Sequence, residues 1–214
     1  MRRGSNVTVG SNPTSSAKVY IIEIKHMMIA YQNIEMQQNA NVKLFEPFLQ
    51  RENFPIIMEI GTRSGAFTRY IKDISPKSDV FSYDVIDQKP DNLNKQNINF
   101  IIKNIFENDY EVVSDAEALS ILNGPAKKLI LCDNGNKIKE FRCLAKYMKI
   151  GDVIMCHDYS TSREYFDSHI NGKLWNWCEV IESDISAASD EYGLVAYNQE
   201  EFLKAVWGCK IKVK

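Results

Sequence analysis

Ile56-Ile57-Met58-Glu59-Ile60-Gly61-Thr62-Arg63-Ser64-Gly65-Ala66-Phe67-Thr68 is the stretch whose reading decides the fold. Its apolar run, broken only by Glu59, is the pattern of a short strand covered on both faces. Gly61 stands where the chain must turn without a Cβ in the way, and Gly65 where a helix must begin close to a strand or a ligand. Helical spacing continues through Phe67, Tyr70, Ile71 and Ile74, and Pro76 stops it. A strand, a glycine turn and a helix at the carboxyl edge of a parallel sheet is where such folds bind nucleotide-like ligands. A unit of this outline that binds nothing remains the plain alternative.

Outward from this stretch, strands and helices alternate, which predicts an α/β fold with a parallel sheet covered by helices on both faces. Strands are expected at 56–60, 80–85, 98–103, 128–132 and 153–156, with helices at 115–122, 137–148 and 162–174. The tail reads as two further strands, 179–185 and 193–197, joined by a polar loop, with a short helix at 199–206. Before the alternation, 18–25 reads as a strand or a helix start. Helices are expected at 26–38, with Met27, Ala30, Tyr31 and Ile34 on one face, and at 41–49. The division expected is a flexible leader at 1–17, an N-terminal helical cap at 18–54 and the main domain at 55–214.

Composition bounds the function classes. The chain has 214 residues, 44% hydrophobic and 25% charged, which suits one globular domain. A net charge of −2 gives no electrostatic case for nucleic acid. No apolar run approaches the ~20 residues of a membrane span, and no signal peptide is visible. The 5 cysteines form no CxxC pair, which fits a reducing, cytoplasmic setting. Cys132, Cys143, Cys156 and Cys178 read as small core residues.

A dinucleotide fingerprint needs G-x-G-x-x-G so that backbone can close on a pyrophosphate. Here Arg63 and Ala66 occupy its second and third glycine positions, and the pattern is E-x-G-x-x-x-G. That pattern resembles the first motif of class I S-adenosylmethionine (SAM) methyltransferases, and the strand order resembles theirs over roughly residues 55–200. The resemblance implies a Rossmann-like, seven-stranded, mostly parallel sheet whose last strand inserts antiparallel. It implies SAM as cofactor, wrapped by Glu59, Gly61, Thr62, Arg63, Ser64 and Gly65. Asp84, ending the second strand, would take the ribose hydroxyls; otherwise it caps a turn. Asn104 and Ile105, after the third strand, would read and flank the adenine, or Asn104 simply turns the chain.

Asp133 and Asp158 end the fourth and fifth strands and are expected in one crevice, Asp133 also bordering the cofactor. Paired carboxylates suit a hard divalent cation, and catechol O-methyltransferase-like enzymes place Mg²⁺ at matching positions. Those enzymes carry Asp-Asn after strand five, where this chain has His157-Asp158-Tyr159, and Lys137 lies one position later than their lysine base. Glu35-Met36-Gln37-Gln38-Asn39, Cys132-Asp133-Asn134-Gly135 and His157-Asp158 also resemble the cephalosporin-hydroxylase-like and sugar or macrolide O-methyltransferase branch, with Asn136 where that branch has His. His157 is a candidate base by its pKa range, or a ligand, or a strand-end residue orienting the carboxylate. Lys137 is a candidate base if its pKa is depressed, and otherwise a solvated lysine.

These readings converge on a SAM-dependent methyltransferase transferring methyl to a hydroxyl of a small-molecule acceptor. The partners expected are that acceptor and a homo-oligomer at most, with no nucleic acid and no membrane. An NAD(P)-dependent oxidoreductase and a non-catalytic Rossmann-like module are the alternatives. Tyr31, Trp175, Trp177 and Phe166 are expected either to line the acceptor pocket or to fill the core.

Overall fold

The structure is a computed structural model that describes residues 22–24 and 28–214. The chain opens with three antiparallel strands, β1 (Ile22–Ile24), β2 (Met28–Tyr31) and β3 (Ile34–Met36). The helix expected at 26–38 is therefore a β-hairpin over its described part. Gln32 and Asn33 both adopt positive φ, at 52° and 64°, which makes the two-residue turn whose twist matches paired strands. In β3 Ile34 and Met36 are buried while Glu35 is exposed, as a strand period requires, and in β2 Ile29, Ala30 and Tyr31 are all buried. A 3₁₀ turn capped by Asn39 then leads into α1 (Phe45–Glu52). The leader expected at 1–17 lies outside the described residues.

The central sheet is built from β4 (Ile56–Ile60), β5 (Asp79–Asp84), β6 (Asn99–Ile102), β9 (Lys128–Cys132), β10 (Val153–Cys156), β13 (Leu194–Ala196) and β14 (Gly208–Lys212). Their order is β13-β14-β10-β9-β4-β5-β6, and β14 alone runs antiparallel to its neighbours. The seven-stranded, mostly parallel sheet of the expectation is thus present. Two small pairings sit at its rim: β7 (Phe106–Glu107) with β8 (Val112–Val113), and β11 (Tyr159–Ser160) with β12 (Val180–Ile181). The helices are α2 (Ala66–Ile74), α3 (Ala116–Asn123), α4 (Lys137–Ala145), the short α5 (Arg163–Tyr165), α6 (Glu182–Glu191) and α7 (Gln199–Phe202).

Two expectations in the tail are corrected. Only Val180 and Ile181 of 179–185 pair as strand; the chain then enters α6, where the Asp184 carboxylate accepts the Ile181 N–H at 2.9 Å and caps the helix start. The inserted antiparallel strand is β14, beyond the expected helix at 199–206, which is itself split into α7 and a 3₁₀ turn.

Alternation along the buried strands sends side chains to two cores. Leu129 and Leu131 face Phe45, Phe67, Tyr70 and Trp207 under the hairpin, α1 and α2. Ile130 and Cys132 face Leu122, Phe141, Leu144 and Ile185 under α3, α4 and α6. Cys132, Cys143, Cys156 and Cys209 are buried, as core residues should be, and Cys178 is half-buried.

At the amino end of the sheet, Lys128 is fully buried against Asp152, Nζ to Oδ2 at 2.9 Å. Asp152 also accepts the backbone N–H groups of Lys128 and Lys149, so every formal charge there has a partner. Replacing Asp152 with Ala strands a buried ammonium and should cost about 3–5 kcal/mol, read as a fall in the urea midpoint.

Candidate active site

The register of the sheet assembles the site. Ile60 is level with Tyr83 on β5 and with Cys132 on β9, and Cys132 is level with Cys156 on β10. One residue further along each strand, Gly61, Asp84, Asp133 and His157 emerge side by side at the carboxyl edge. Backbone bonds hold this edge: Gly61 N–H to Tyr83 O at 2.8 Å, Asp133 N–H to Ile60 O at 2.8 Å, and His157 N–H to Cys132 O at 3.0 Å.

The edge opens into a cavity of about 350 Å³. One wall is the turn from Gly61 to Ser64. Gly61 has φ +105°, and a Cβ there would collide with the backbone of Asp133 and stand 2.7 Å from Asn134 N. Gly65 starts α2 at φ +73°, where a Cβ would lie 2.6 Å from Leu93. Gly61 is therefore demanded by close approach to backbone as well as by φ, whereas at Gly65 the constraint is φ, since the Leu93 methyl can move. Asp84 lines the cavity, its Oδ2 accepting the Arg63 N–H at 2.8 Å and its Oδ1 the Ile86 N–H at 3.2 Å. Val85 and Ile86 beside it are exposed apolar side chains on the same wall.

Glu59 lies beneath the turn, with the hydroxyls of Thr68 and Ser82 donating to its Oε2. Burial pushes its carboxyl up to about 8 against the opposing effect of those hydroxyls. Asn104 is exposed, and its side-chain carbonyl accepts the Phe106 N–H at 3.0 Å, the turn its sequence position allowed. Ile105 is buried in the core. Both border a narrow cleft of about 10 Å³ beside Asp84, room for about one water.

The other end of the cavity is ionic. Lys137, on the first turn of α4, places Nζ 2.8 Å from Asp158 Oδ2, 2.9 Å from Glu179 Oε2 and 4.0 Å from Asp133 Oδ1. Burial works to lower its pKa; the carboxylates of Asp133 and Asp158 overcome this and hold the ammonium above the usual lysine range. Asp158, at φ 56°, occupies the left-handed region, a strain that persists where surroundings fix it. Trp175 Nε1 donates to its Oδ1 at 2.5 Å. Burial would raise the Asp158 carboxyl, but His157 and Lys137 outweigh that and hold it below the usual carboxylate range.

His157 stands behind this group rather than on the cavity wall. Its Nδ1 lies 3.0 Å from Asp133 Oδ1, and its ring packs between Trp175 and Trp207 at centroid distances of 5.3 and 4.8 Å. Burial opposes its charging, yet Asp133 and Asp158 raise its pKa above the ordinary histidine value.

The hairpin contributes residues that sequence reasoning missed. Gln38 donates from Nε2 to Asp133 Oδ2 at 3.1 Å and accepts from Trp207 Nε1 at 2.8 Å. Ser64 donates to Glu35 O at 2.7 Å, which ties the glycine turn to β3. Of the aromatics expected at an acceptor pocket, Trp177 lines the cavity and is 43% exposed. Tyr31 bonds Asp73 instead, while Phe166 and Trp175 are buried together. The signal for Gln38 was present in the Glu35–Asn39 segment; Glu179 had none, since its partner Lys137 is remote in sequence.

Asp133, His157 and Asp158 each offer one ligand atom within 4.8 Å of the others, the outline of a metal site. The donor chemistry suits a divalent cation, but the arrangement does not: all four Asp133 and Asp158 oxygens already face N–H donors of the chain.

No protein-family model matches the chain, and no curated protein matches it in sequence. Solved structures do match in shape. An apo structure of CmcI superposes with TM-score 0.58 at 12% identity, covering 86% of this chain and 76% of that one. A CmcI structure with Mg and SAM gives 0.56 at 11% identity, with coverages of 86% and 76%. Human N-acetylserotonin methyltransferase in complex with SAM gives 0.51 at 12% identity, covering 82% of this chain and 52% of that one. Among the described residues no helix is long and apolar enough to cross a membrane.

The buried groups set a pH dependence. Glu59 and Glu140, the latter buried on α4 with both carboxyl oxygens unpartnered, are raised by burial to about 8. Between pH ~4.5 and ~8 the fold keeps protons that the unfolded chain releases, so stability falls as pH rises. His157 acts in the same direction, because its raised pKa gives stability that is full at acid pH and lost through its folded value. The thermal midpoint should fall from pH 5 to 8, each carboxyl contributing up to about 1.4 kcal/mol per pH unit, and Glu140→Gln should flatten the curve. In shape, the chain carries the fold of SAM-dependent methyltransferases.

Proposed function

We propose that this protein is a SAM-dependent methyltransferase that methylates a hydroxyl of a small molecule. The observation that carries the reading is the alignment of Gly61, Asp84 and Asp133 around one cavity, with the Gly61–Gly65 turn as its wall. The likeness to CmcI and N-acetylserotonin methyltransferase supports it through fold. Bound SAM supplies a methyl group already activated on a sulfonium.

The chain's own residues then bind and align. The glycine turn, unencumbered by Cβ atoms, lets backbone approach the amino-acid tail. Asp84 keeps lone pairs for the ribose hydroxyls while its fixed backbone donors hold it in place. Val85 and Ile86 give the adenine an apolar face, with Asn104 at its edge. Trp177 and Gln37 cover the acceptor at the ionic end. Holding the acceptor oxygen in line with methyl and sulfur is the main catalytic contribution of such a site.

Lys137 carries its proton and serves as a cation beside the acceptor oxygen, not as the base. His157 orients Asp133 from behind. Glu179, half-exposed on the cavity wall and 2.9 Å from Lys137, is placed to take the acceptor proton to solvent. No step is assigned to a metal.

Isothermal titration should show SAM and S-adenosylhomocysteine binding in the micromolar range, and Asp84→Ala should weaken both by at least about tenfold, the worth of one charged hydrogen bond. Absence of binding in the wild-type chain would remove the reading, and quenching of NADH fluorescence on mixing would replace it with the oxidoreductase.

A further inference from the structure

We infer that the Lys137 ammonium is the resident cation of the carboxylate cluster, standing where a divalent ion would sit, so that this site works without a metal. The inference goes beyond the methyl-transfer reading, since it concerns what the cluster holds whatever reaction takes place beside it.

Three carboxylates, Asp133, Asp158 and Glu179, meet at the ionic end of the cavity. One point charge lies among them: Lys137 Nζ at 2.8 Å from Asp158, 2.9 Å from Glu179 and 4.0 Å from Asp133. The Lys137 side chain is only 6% exposed, so these contacts replace the water an ammonium would otherwise hold. The remaining oxygens of the two aspartates are also engaged. Trp175 Nε1 donates to Asp158 Oδ1 at 2.5 Å, His157 Nδ1 lies 3.0 Å from Asp133 Oδ1, and Gln38 Nε2 donates to Asp133 Oδ2 at 3.1 Å.

Mg²⁺ demands a near-octahedral oxygen shell at about 2.0–2.1 Å and sheds water reluctantly. To provide it here, the aspartates would have to share or release donors from four different elements. A divalent ion between Asp133 and Asp158 would also stand next to the ammonium, a like charge in a site with little water to screen it. The imidazole offers no relief, because its Nδ1 faces Asp133 and its Nε2 is buried between two indoles. The chain thus supplies, covalently, a positive charge at the point where the three carboxylates converge.

Mn²⁺ is the probe, followed by electron paramagnetic resonance and by calorimetry on the full chain. The wild-type protein is expected to take up no stoichiometric Mn²⁺ at micromolar concentration. Lys137→Met frees the three carboxylates and should tighten Mn²⁺ at least about tenfold, because affinity follows ligand charge; adding Asp158→Asn should abolish the gain. One Mn²⁺ bound tightly by the wild-type chain, and lost in Asp158→Asn, would overturn the inference, as would a folded Lys137→Met that binds no better than wild type. Lys137→Gln, smaller in its polar change, repeats the comparison if the methionine variant fails to fold by circular dichroism. None of these measurements needs SAM or an acceptor, so a failure here and a failure of the methyl-transfer reading are seen separately.

Discussion

The carbonyl of Asp133 passes so near Gly61 that no side chain fits between them. This contact joins the ends of the two central strands, β4 and β9, and the cavity exists because of it. With the strands in register, the residues after Ile60, Tyr83, Cys132 and Cys156 reach the carboxyl edge together. A residue with a Cβ at position 61 would push the turn away from β9 and separate the cofactor wall from the ionic end. The glycine is therefore a packing requirement first and a conformational one second.

The two ends of the cavity differ in how they treat charge. Around Asp84 the carboxylate is met by backbone N–H groups, which are fixed dipoles with no freedom to titrate. Around Asp158 it is met by a lysine from α4, an indole from the Trp175 turn and the imidazole of its own chain neighbour His157. Backbone donors follow from the local path of the chain, whereas the ionic end depends on α4, the segment before β12 and the Trp175 turn all being in place. Perturbed pKa values gather at this second end, as they do where groups are arranged around reacting atoms.

Much of the sheet was legible because a buried parallel strand must be continuously apolar. Ile56–Ile60, Lys128–Cys132 and Val153–Cys156 stand as expected, and Gly61, Asp133 and His157-Asp158, which follow them, fall at one edge. The hairpin was not legible: Ala30, Tyr31 and Ile34 satisfy a helical spacing as well as a cross-strand one, and Gln32-Asn33 lacks the glycine that marks such turns. Helix α6 buries only the narrow stripe of Ile185, Ala188 and Ser189, too weak a signal against its polar surroundings. Strand β14 hides a buried Lys210, acceptable only because Glu182 reaches it at 2.5 Å from another element. The candidate site divides in the same way. Strand-end acids have a position in the sequence, but the lysine–glutamate contact and the Gln38 bridge are long-range pairings with no local code.

Gln38 bonds to Asp133, 95 positions further along the chain, and to Trp207, 169 positions further along. During synthesis on the ribosome, Asp133 and the glycine turn emerge well before Trp207 does. Until that indole arrives, Gln38 lacks one of its two anchors, and the hairpin rests on its bonds to α2 and the glycine turn, Tyr31 to Asp73 and Ser64 to Glu35. A nascent chain can thus form its central strands early, while the ionic end is finished only when the antiparallel strand docks and Trp207 meets Gln38.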